Sequence, residues 1–135
     1  MKPKRWKLTP FVPTELSEQI VVFEWAKLRE TQHPPLALLH ASLNGLRLNI
    51  GQAVKAKRAG MRAGVPDIFL PFPVERDGSV YHGLYLELKR RSKGTFSAEQ
   101  KWWMTTLIKF GYCVRAPKGA TEAITEICWY LNIQP

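Results

Sequence analysis

Three charged residues stand inside segments that are otherwise apolar. Asp67 interrupts the segment VPDIFLPF, and Glu87 and Lys89 interrupt the later segment LYLELK. A carboxylate among apolar side chains is costly unless it is paired or bound to a cation. Residues two apart in a strand share a face, so we expect Glu87 and Lys89 to point the same way, opposite to Leu86 and Leu88.

This pattern predicts chemistry on a phosphodiester. If the two strands pair through a turn at 75–79, Asp67 comes near Glu87, and the two carboxylates repel each other. A hard divalent cation such as Mg²⁺ prefers oxygen ligands and relieves that repulsion. Such an ion can polarise a phosphodiester and activate a water molecule. Lys89 can position that water or neutralise charge on the phosphoryl group.

The alternative is a surface strand pair in which Glu87 and Lys89 alternate charge on a solvated face. The overall charge favours the chemical interpretation, because 20 Lys and Arg against 11 Asp and Glu give a net charge of +9. A basic chain of this size expects an anionic partner, and nucleic acid is the commonest one, although membranes and acidic proteins are others.

The surrounding pattern predicts one α/β domain at 14–135, preceded by a basic, irregular arm at 1–13. Asp77-Gly78 is typical of a hairpin turn. Helices and strands alternate along the chain, which indicates a mixed central sheet flanked by helices. The predicted helices cover 17–30, 50–59, 97–110 and 121–131, and the predicted strands cover 36–43, 65–72, 84–90 and 112–116.

A family resemblance supports this interpretation. The segments GVPDIFLP, GLYLELKR and SAEQKWW, in this order, resemble the PD-(D/E)XK nuclease superfamily. More narrowly they resemble the VRR-NUC (virus-type replication-repair nuclease) family, found in phages and in a eukaryotic DNA-repair nuclease. The resemblance covers roughly 15–131 and implies a restriction-endonuclease-like αβββαβ core. It implies that Asp67, Glu87 and the backbone carbonyl of Leu88 hold Mg²⁺ or Mn²⁺, and that Lys89 is catalytic.

Related nucleases often add a glutamate from the first helix, and here Glu15, Glu18 and Glu24 are available. At 100° per residue Glu18 lies within an apolar stripe and should face the core, whereas Glu24 lies at its margin. Glu18 also matches the opening Glu-Gln of the family. We therefore predict Glu18 as the additional metal ligand, with its neighbour Gln19 a weaker candidate and a surface or capping role as the alternative.

Gln100 matches the Ser-x-x-Gln pattern of the family, and two roles for it remain open. It can complete a capping box with Ser97, or its amide can bind a metal-bound water or a DNA phosphate. Trp102 and Trp103 follow on the same helix. For Trp103 we expect core packing rather than base stacking.

Basic residues near the predicted centre are candidates for DNA contacts, which would be salt-dependent. The alternative is a solvated helix face. No recognition helix or zinc finger indicates base-specific reading, so selectivity would come from DNA shape. The candidates, together with one asparagine, are Asn44, Arg47, Lys55, Lys57, Arg58, Arg62, Arg90, Arg91 and Lys93.

These features predict a Mg²⁺- or Mn²⁺-dependent DNA endonuclease selective for branched DNA, such as four-way (Holliday) junctions or flaps. The alternative is a non-catalytic basic DNA-binding module on a degenerate nuclease fold. Sequence-specific restriction-type cutting is disfavoured, since the chain has no room for a target-recognition insertion. The resemblance to phage members implies a homodimer in the cytoplasm of a bacterial or phage-infected cell. We expect no membrane contact, and we expect Cys113 and Cys128 to be buried free thiols.

Overall fold

A mixed four-stranded sheet runs through the computed structural model, which describes residues 14–42, 48–90 and 95–135. The sheet has the order β1-β2-β5-β6, with only β5 and β6 parallel, and β3 and β4 form a separate hairpin. In chain order the strands are β1 (His40–Ala41), β2 (Ile68–Leu70), β3 (Val74–Arg76), β4 (Ser79–Tyr81), β5 (Leu84–Leu86) and β6 (Cys113–Arg115).

Four α-helices accompany the sheet. They are α1 (Glu15–Arg29), α2 (Ile50–Arg58), α3 (Ala98–Lys109) and α4 (Gly119–Leu131). The sequence α1, β1, β2, β5, α3, β6 is the predicted αβββαβ core, with α2 and the β3–β4 hairpin inserted into it and α4 following it. The predicted α/β fold class and the predicted order of elements in the core are thereby confirmed.

Side-chain caps define where three of the helices begin. Thr14 accepts the N–H of Ser17 at the start of α1, and Asn49 and Ser97 begin α2 and α3 with capping boxes. Each cap satisfies backbone N–H groups that lack a partner inside the helix. Gly111, with a φ of 91°, follows the end of α3 as predicted.

The hydrophobic core lies between one face of the sheet and the helices α1 and α4, which pack against each other. Alternation along the strands sends every second side chain to this face. The opposite face therefore receives Asp67, Glu87 and Lys89. The core side of the sheet carries Ile68, Leu70, Leu84, Leu86 and Leu88, all fully buried.

The predicted strand at 36–43 is wrong over most of its length. A 3₁₀ helix occupies Pro34–Leu38, and only His40–Ala41 pairs with β2. Two prolines at its start preset φ near −65° and lack N–H groups, which suits the first turn of a helix. The backbone N–H of Leu36 then bonds the carbonyl of His33, closing a tight turn where a strand was expected.

The predicted pairing of the strands around Asp67 and Glu87 is confirmed, but their connection differs. The turn at Asp77-Gly78, with φ of 50° and 79°, closes the separate β3–β4 hairpin instead. β2 and β5 pair antiparallel with Ile68 opposite Leu86. This register, continued by one residue, sets Asp67 opposite Glu87.

Some predictions fall outside the described residues: the arm at 1–13, and the DNA-contact candidates Asn44, Arg47, Arg91 and Lys93. Cys113 and Cys128 are buried and free, as expected. Of the helices in the described residues, none is long and apolar enough to cross a membrane.

Candidate active site

Asp67 and Glu87 line one cleft of about 400 Å³. Asp67 directly precedes β2 and is half-buried, whereas Glu87 directly follows β5 and is only 3 % exposed. Asp67 Oδ2 accepts the backbone N–H of Leu88 at 2.7 Å. The strand pairing thus brings together the two carboxylates that the sequence singled out.

The surroundings of both carboxyl groups disfavour their ionised forms. Burial raises the pKa of Asp67 from 3.8 to about 6. Burial and then the charge of Asp67 raise the pKa of Glu87 from 4.5 to about 8. Glu87 Oε2 is buried and has no hydrogen-bond partner among the described residues. A cation beside both groups would relieve these costs, because it favours their charged forms.

Lys89 is buried beside Glu87 and Gln100, which line the cleft, and 7 % of its surface is exposed. Its Nζ lies 3.8 Å from Glu87 Oε1, 3.3 Å from Gln100 Oε1 and 4.7 Å from the ring centre of Phe96. Glu87 and Lys89 share a face as predicted, but that face is not solvated. The surface-strand alternative is therefore wrong.

Gln100 connects the first turn of α3 to the charged residues. Its Nε2 donates to Glu87 Oε1 at 2.7 Å, while its Oε1 accepts the N–H of Ser97 at 2.9 Å and also faces Lys89 Nζ. Two donors at the oxygen and one carboxylate at the nitrogen agree on the orientation of the amide. The capping role and the placement of Gln100 in the site therefore coexist.

The backbone from Glu87 to Lys89, which continues β5, is fixed from both edges. The N–H groups of Glu87 and Lys89 bond the carbonyls of Arg115 and Pro117, so they point towards β6. The N–H of Leu88 points the other way, to Asp67. The N–H and C=O of a residue in an extended chain share an edge, so the carbonyl of Leu88 also points towards Asp67, where a ligand was predicted.

The first helix presents a different glutamate to the cleft from the one predicted. Glu18 is buried, as expected, but its Oε2 accepts the N–H of Ala120 at the start of α4. Glu15, in the first turn of α1, lines the cleft and raises the pKa of both Asp67 and Glu87. The helical period predicted which face is buried, but not which neighbour that face meets.

The segment between α2 and β2 passes close to the start of α3. Gly64 has a φ of 86°, and a Cβ at this position would lie 2.6 Å from the carbonyl carbon of Glu99. Only glycine therefore allows this approach, which seats Ala63, Gly64 and Val65 in the wall of the cleft.

The basic candidates in the described residues are all exposed. Lys55, Lys57 and Arg58 lie in the last turn of α2, a helix without a buried residue, and Lys57 lines the cleft. Arg62 follows α2, and Arg90 follows Lys89. The structure therefore brings Lys57 to the cleft, while the other basic side chains lie on the surface.

The donor set fits an ion that needs few protein ligands. Across 14–42, 48–90 and 95–135, no three His, Cys, Asp or Glu side chains are grouped closely enough to hold a metal. Mg²⁺ commonly binds through one or two carboxylates and keeps several waters, which Asp67, Glu87 and the Leu88 carbonyl can accommodate. A larger groove of about 810 Å³, along α1 and the 3₁₀ helix, contains none of these residues.

Comparison with a solved structure gives a similarity over almost the whole chain. A chain described as a "VRR_NUC domain protein" superposes with a TM-score of 0.72, is 31 % identical and is matched over 93 % of each chain. No protein-family model matches the sequence, and no curated protein matches it.

The two glutamates of α1 should respond differently to substitution. We expect Glu18→Ala to lower the free energy of unfolding by about 2 kcal/mol, since it removes a charged acceptor from a buried N–H. Glu15→Ala should change it by less than about 0.5 kcal/mol and weaken Mn²⁺ binding. Chemical denaturation and titration calorimetry measure the two quantities. The reverse pattern would restore Glu18 as the residue of the cleft.

Stability without metal should depend on pH. Between the unfolded pKa of Glu87, 4.5, and its folded value of about 8, the folded state holds the extra proton. Stability therefore falls as pH rises through this window, by roughly 2–4 kcal/mol between pH 5 and 8. Glu87→Gln should flatten this slope in denaturation experiments with EDTA. Equal slopes for the two proteins would contradict the assignment.

Proposed function

This chain belongs to the VRR-NUC family, and from that membership we propose that it is a Mg²⁺- or Mn²⁺-dependent endonuclease acting on DNA. The observation that carries the proposal is the pair of Asp67 and Glu87, whose carboxyl groups have raised pKa values beside Lys89. A cation beside such a pair would stabilise its charged form. A metal ion in that position can also promote the hydrolysis of a phosphodiester.

Asp67, Glu87 and the Leu88 carbonyl would hold the ion, with Glu15 within the same cleft. When bound, the ion supplies an activated water and polarises the phosphodiester. Lys89 offers its ammonium group to the charge that develops on the phosphoryl oxygens. Because both carboxyl groups must lose their protons to serve as ligands, activity should rise with pH between about 6 and 8.

Basic side chains beside the cleft support DNA as the substrate. Lys55, Lys57 and Arg58 are exposed on α2, and Lys57 reaches the cleft wall. Such residues bind phosphates without reading bases. Selectivity would then come from DNA shape, and we propose branched DNA such as four-way junctions or flaps. A homodimer would place two active sites across a junction.

Cleavage should require both the metal and Asp67. With Mn²⁺ we expect cleavage among four-way junction, flap, duplex and single-stranded substrates, and none with EDTA. Asp67→Ala should reduce the rate by about a hundredfold or more, because the bound ion contributes several kcal/mol, while DNA binding remains. Glu24→Ala, an exposed carboxylate of α1 outside the cleft, is the matched control. If the wild-type protein binds all four DNAs and cuts none, the proposed nuclease activity is wrong and the alternative of a non-catalytic DNA-binding module is supported.

The two roles of Gln100 can be separated by its capping partner. Ser97→Ala removes one half of the capping box but leaves the bond that Gln100 donates to Glu87 and the bond that it accepts from Lys89. We expect Gln100→Ala to lower kcat at least about tenfold more than Ser97→Ala does, because only Gln100 orients the charged pair. Both variants weaken the cap of α3, so the free energy of unfolding of each variant is measured to account for that shared effect. Equal effects on kcat would limit Gln100 to capping.

A further inference from the structure

Arg62, Trp102 and Trp103 form a cluster on the surface beside the cleft, here called the indole cluster. The two indole rings meet edge to face with their centres 5.5 Å apart, and the guanidinium carbon of Arg62 lies 5.9 Å from each ring centre. The cluster borders its own depression of about 400 Å³.

The indole cluster is anchored to the wall of the active site. Trp103 is half-buried, and its Nε1 donates to the carbonyl of Ala63 at 3.1 Å. Ala63 lines both the cleft and the depression of the cluster. Trp103 follows Gln100 by three residues on α3, so these two side chains lie on the same side of the helix. A ligand on the cluster would therefore lie next to bound substrate.

Trp102 exposes an aromatic surface that the fold does not use, with 54 % of the residue accessible. Trp103 is half-buried and donates a hydrogen bond, but it lies outside the hydrophobic core, so the expected core packing is wrong. Trp102 contacts the ring of Trp103 and the guanidinium of Arg62, and the rest of its surface stays open. Arg62 is held by both rings and makes no hydrogen bond or ion pair within the described part of the chain. Its N–H groups remain available to an anion, and guanidinium groups bind phosphate oxygens in pairs.

The chemistry around the cluster selects the class of ligand. A flat aromatic face next to a guanidinium with available N–H groups suits a nucleotide, whose base stacks and whose phosphate accepts hydrogen bonds. Glu99 also lines the depression and repels phosphate, so the phosphate must lie towards Arg62. The basic end of α2, with Lys57 and Arg58, continues the positive charge from there.

We propose that the indole cluster binds one unpaired nucleotide of the DNA substrate, with its base on Trp102 and its phosphate on Arg62. The proposal rests on the proposed function and narrows its substrate class. Bases inside a continuous duplex are stacked on their neighbours and cannot reach an indole without being extruded. Substrates with unpaired nucleotides at the cleavage site, such as flaps and open branch points, therefore gain a contact that plain duplex lacks.

Binding to tailed DNA tests the proposal. Fluorescence anisotropy, with EDTA present, compares a duplex carrying a short single-stranded tail with the same duplex whose tail is abasic. The two probes carry the same phosphates and differ only in bases. We expect the wild-type protein to bind the tail with bases about tenfold more tightly, as stacking on one side chain allows. Trp102→Ala should abolish this ratio, and Trp102→Phe should keep part of it.

Two further variants separate stacking from charge. Arg62→Ala should weaken binding to both tails through the phosphate. Phe110→Ala removes another exposed aromatic residue of the α3 end, 63 % exposed, and should leave the ratio unchanged. Thermal unfolding checks that each variant is folded.

Three outcomes would overturn the proposal: equal wild-type affinity for the two tails, a ratio preserved in Trp102→Ala, or loss of a wild-type dimer in Trp102→Ala during sedimentation. The last would assign the surface to a second copy of the chain. Because binding is measured without metal, base-dependent binding by a protein that cuts no DNA would sink only the proposed function. Cleavage without base dependence would sink only this inference.

Discussion

The repulsion between Asp67 and Glu87 is the constraint on which the rest of the site depends. Antiparallel pairing of β2 with β5 sets the two residues opposite each other, and burial raises the pKa of both. Without neighbouring positive groups, ionisation of both carboxyl groups would destabilise the folded protein. Lys89 and Gln100 supply a positive charge and an amide donor on one side, at Glu87 Oε1. The buried Oε2 of Glu87 has no such partner in the described residues. A cation would therefore stabilise the charged pair most at this oxygen.

Helix caps connect the fold to this charge arrangement. Gln100 both completes the cap of α3 and donates to Glu87, so the helix cannot shift without moving a partner of the carboxylate. At the other helix, Glu18 accepts the N–H of Ala120 where α4 begins. The residue just before, Gly119, bonds the carbonyl of Lys89. Glu18 thus supports Lys89 from behind the sheet, although it does not line the cleft.

The sequence predicted the parts of the site that follow from local alternation. Glu87 and Lys89 share a face because strand period is two, and Asp67 stands out because its strand is otherwise apolar. Glu18 was correctly placed inside, yet its partner was not predictable, since a helical period fixes a direction but not the packing of α1 on α4. The 3₁₀ helix at Pro34–Leu38 was missed for a related reason: an apolar run does not reveal its backbone geometry.

The close backbone approach at Gly64 places the cleft and the indole cluster side by side. It lets the segment between α2 and β2 contact Glu99, and the hydrogen bond from Trp103 to the carbonyl of Ala63 attaches this segment to α3. Asp67 and Gln100 lie on one side of the segment that contains Ala63 and Gly64, and the indole cluster lies on its other side. One helix, α3, carries residues of both. A nucleotide bound at Trp102, as proposed, would contact the same helix that carries Gln100, the partner of Glu87. The helix α3, rather than a loop, would then set the distance between the stacked base and the cleft.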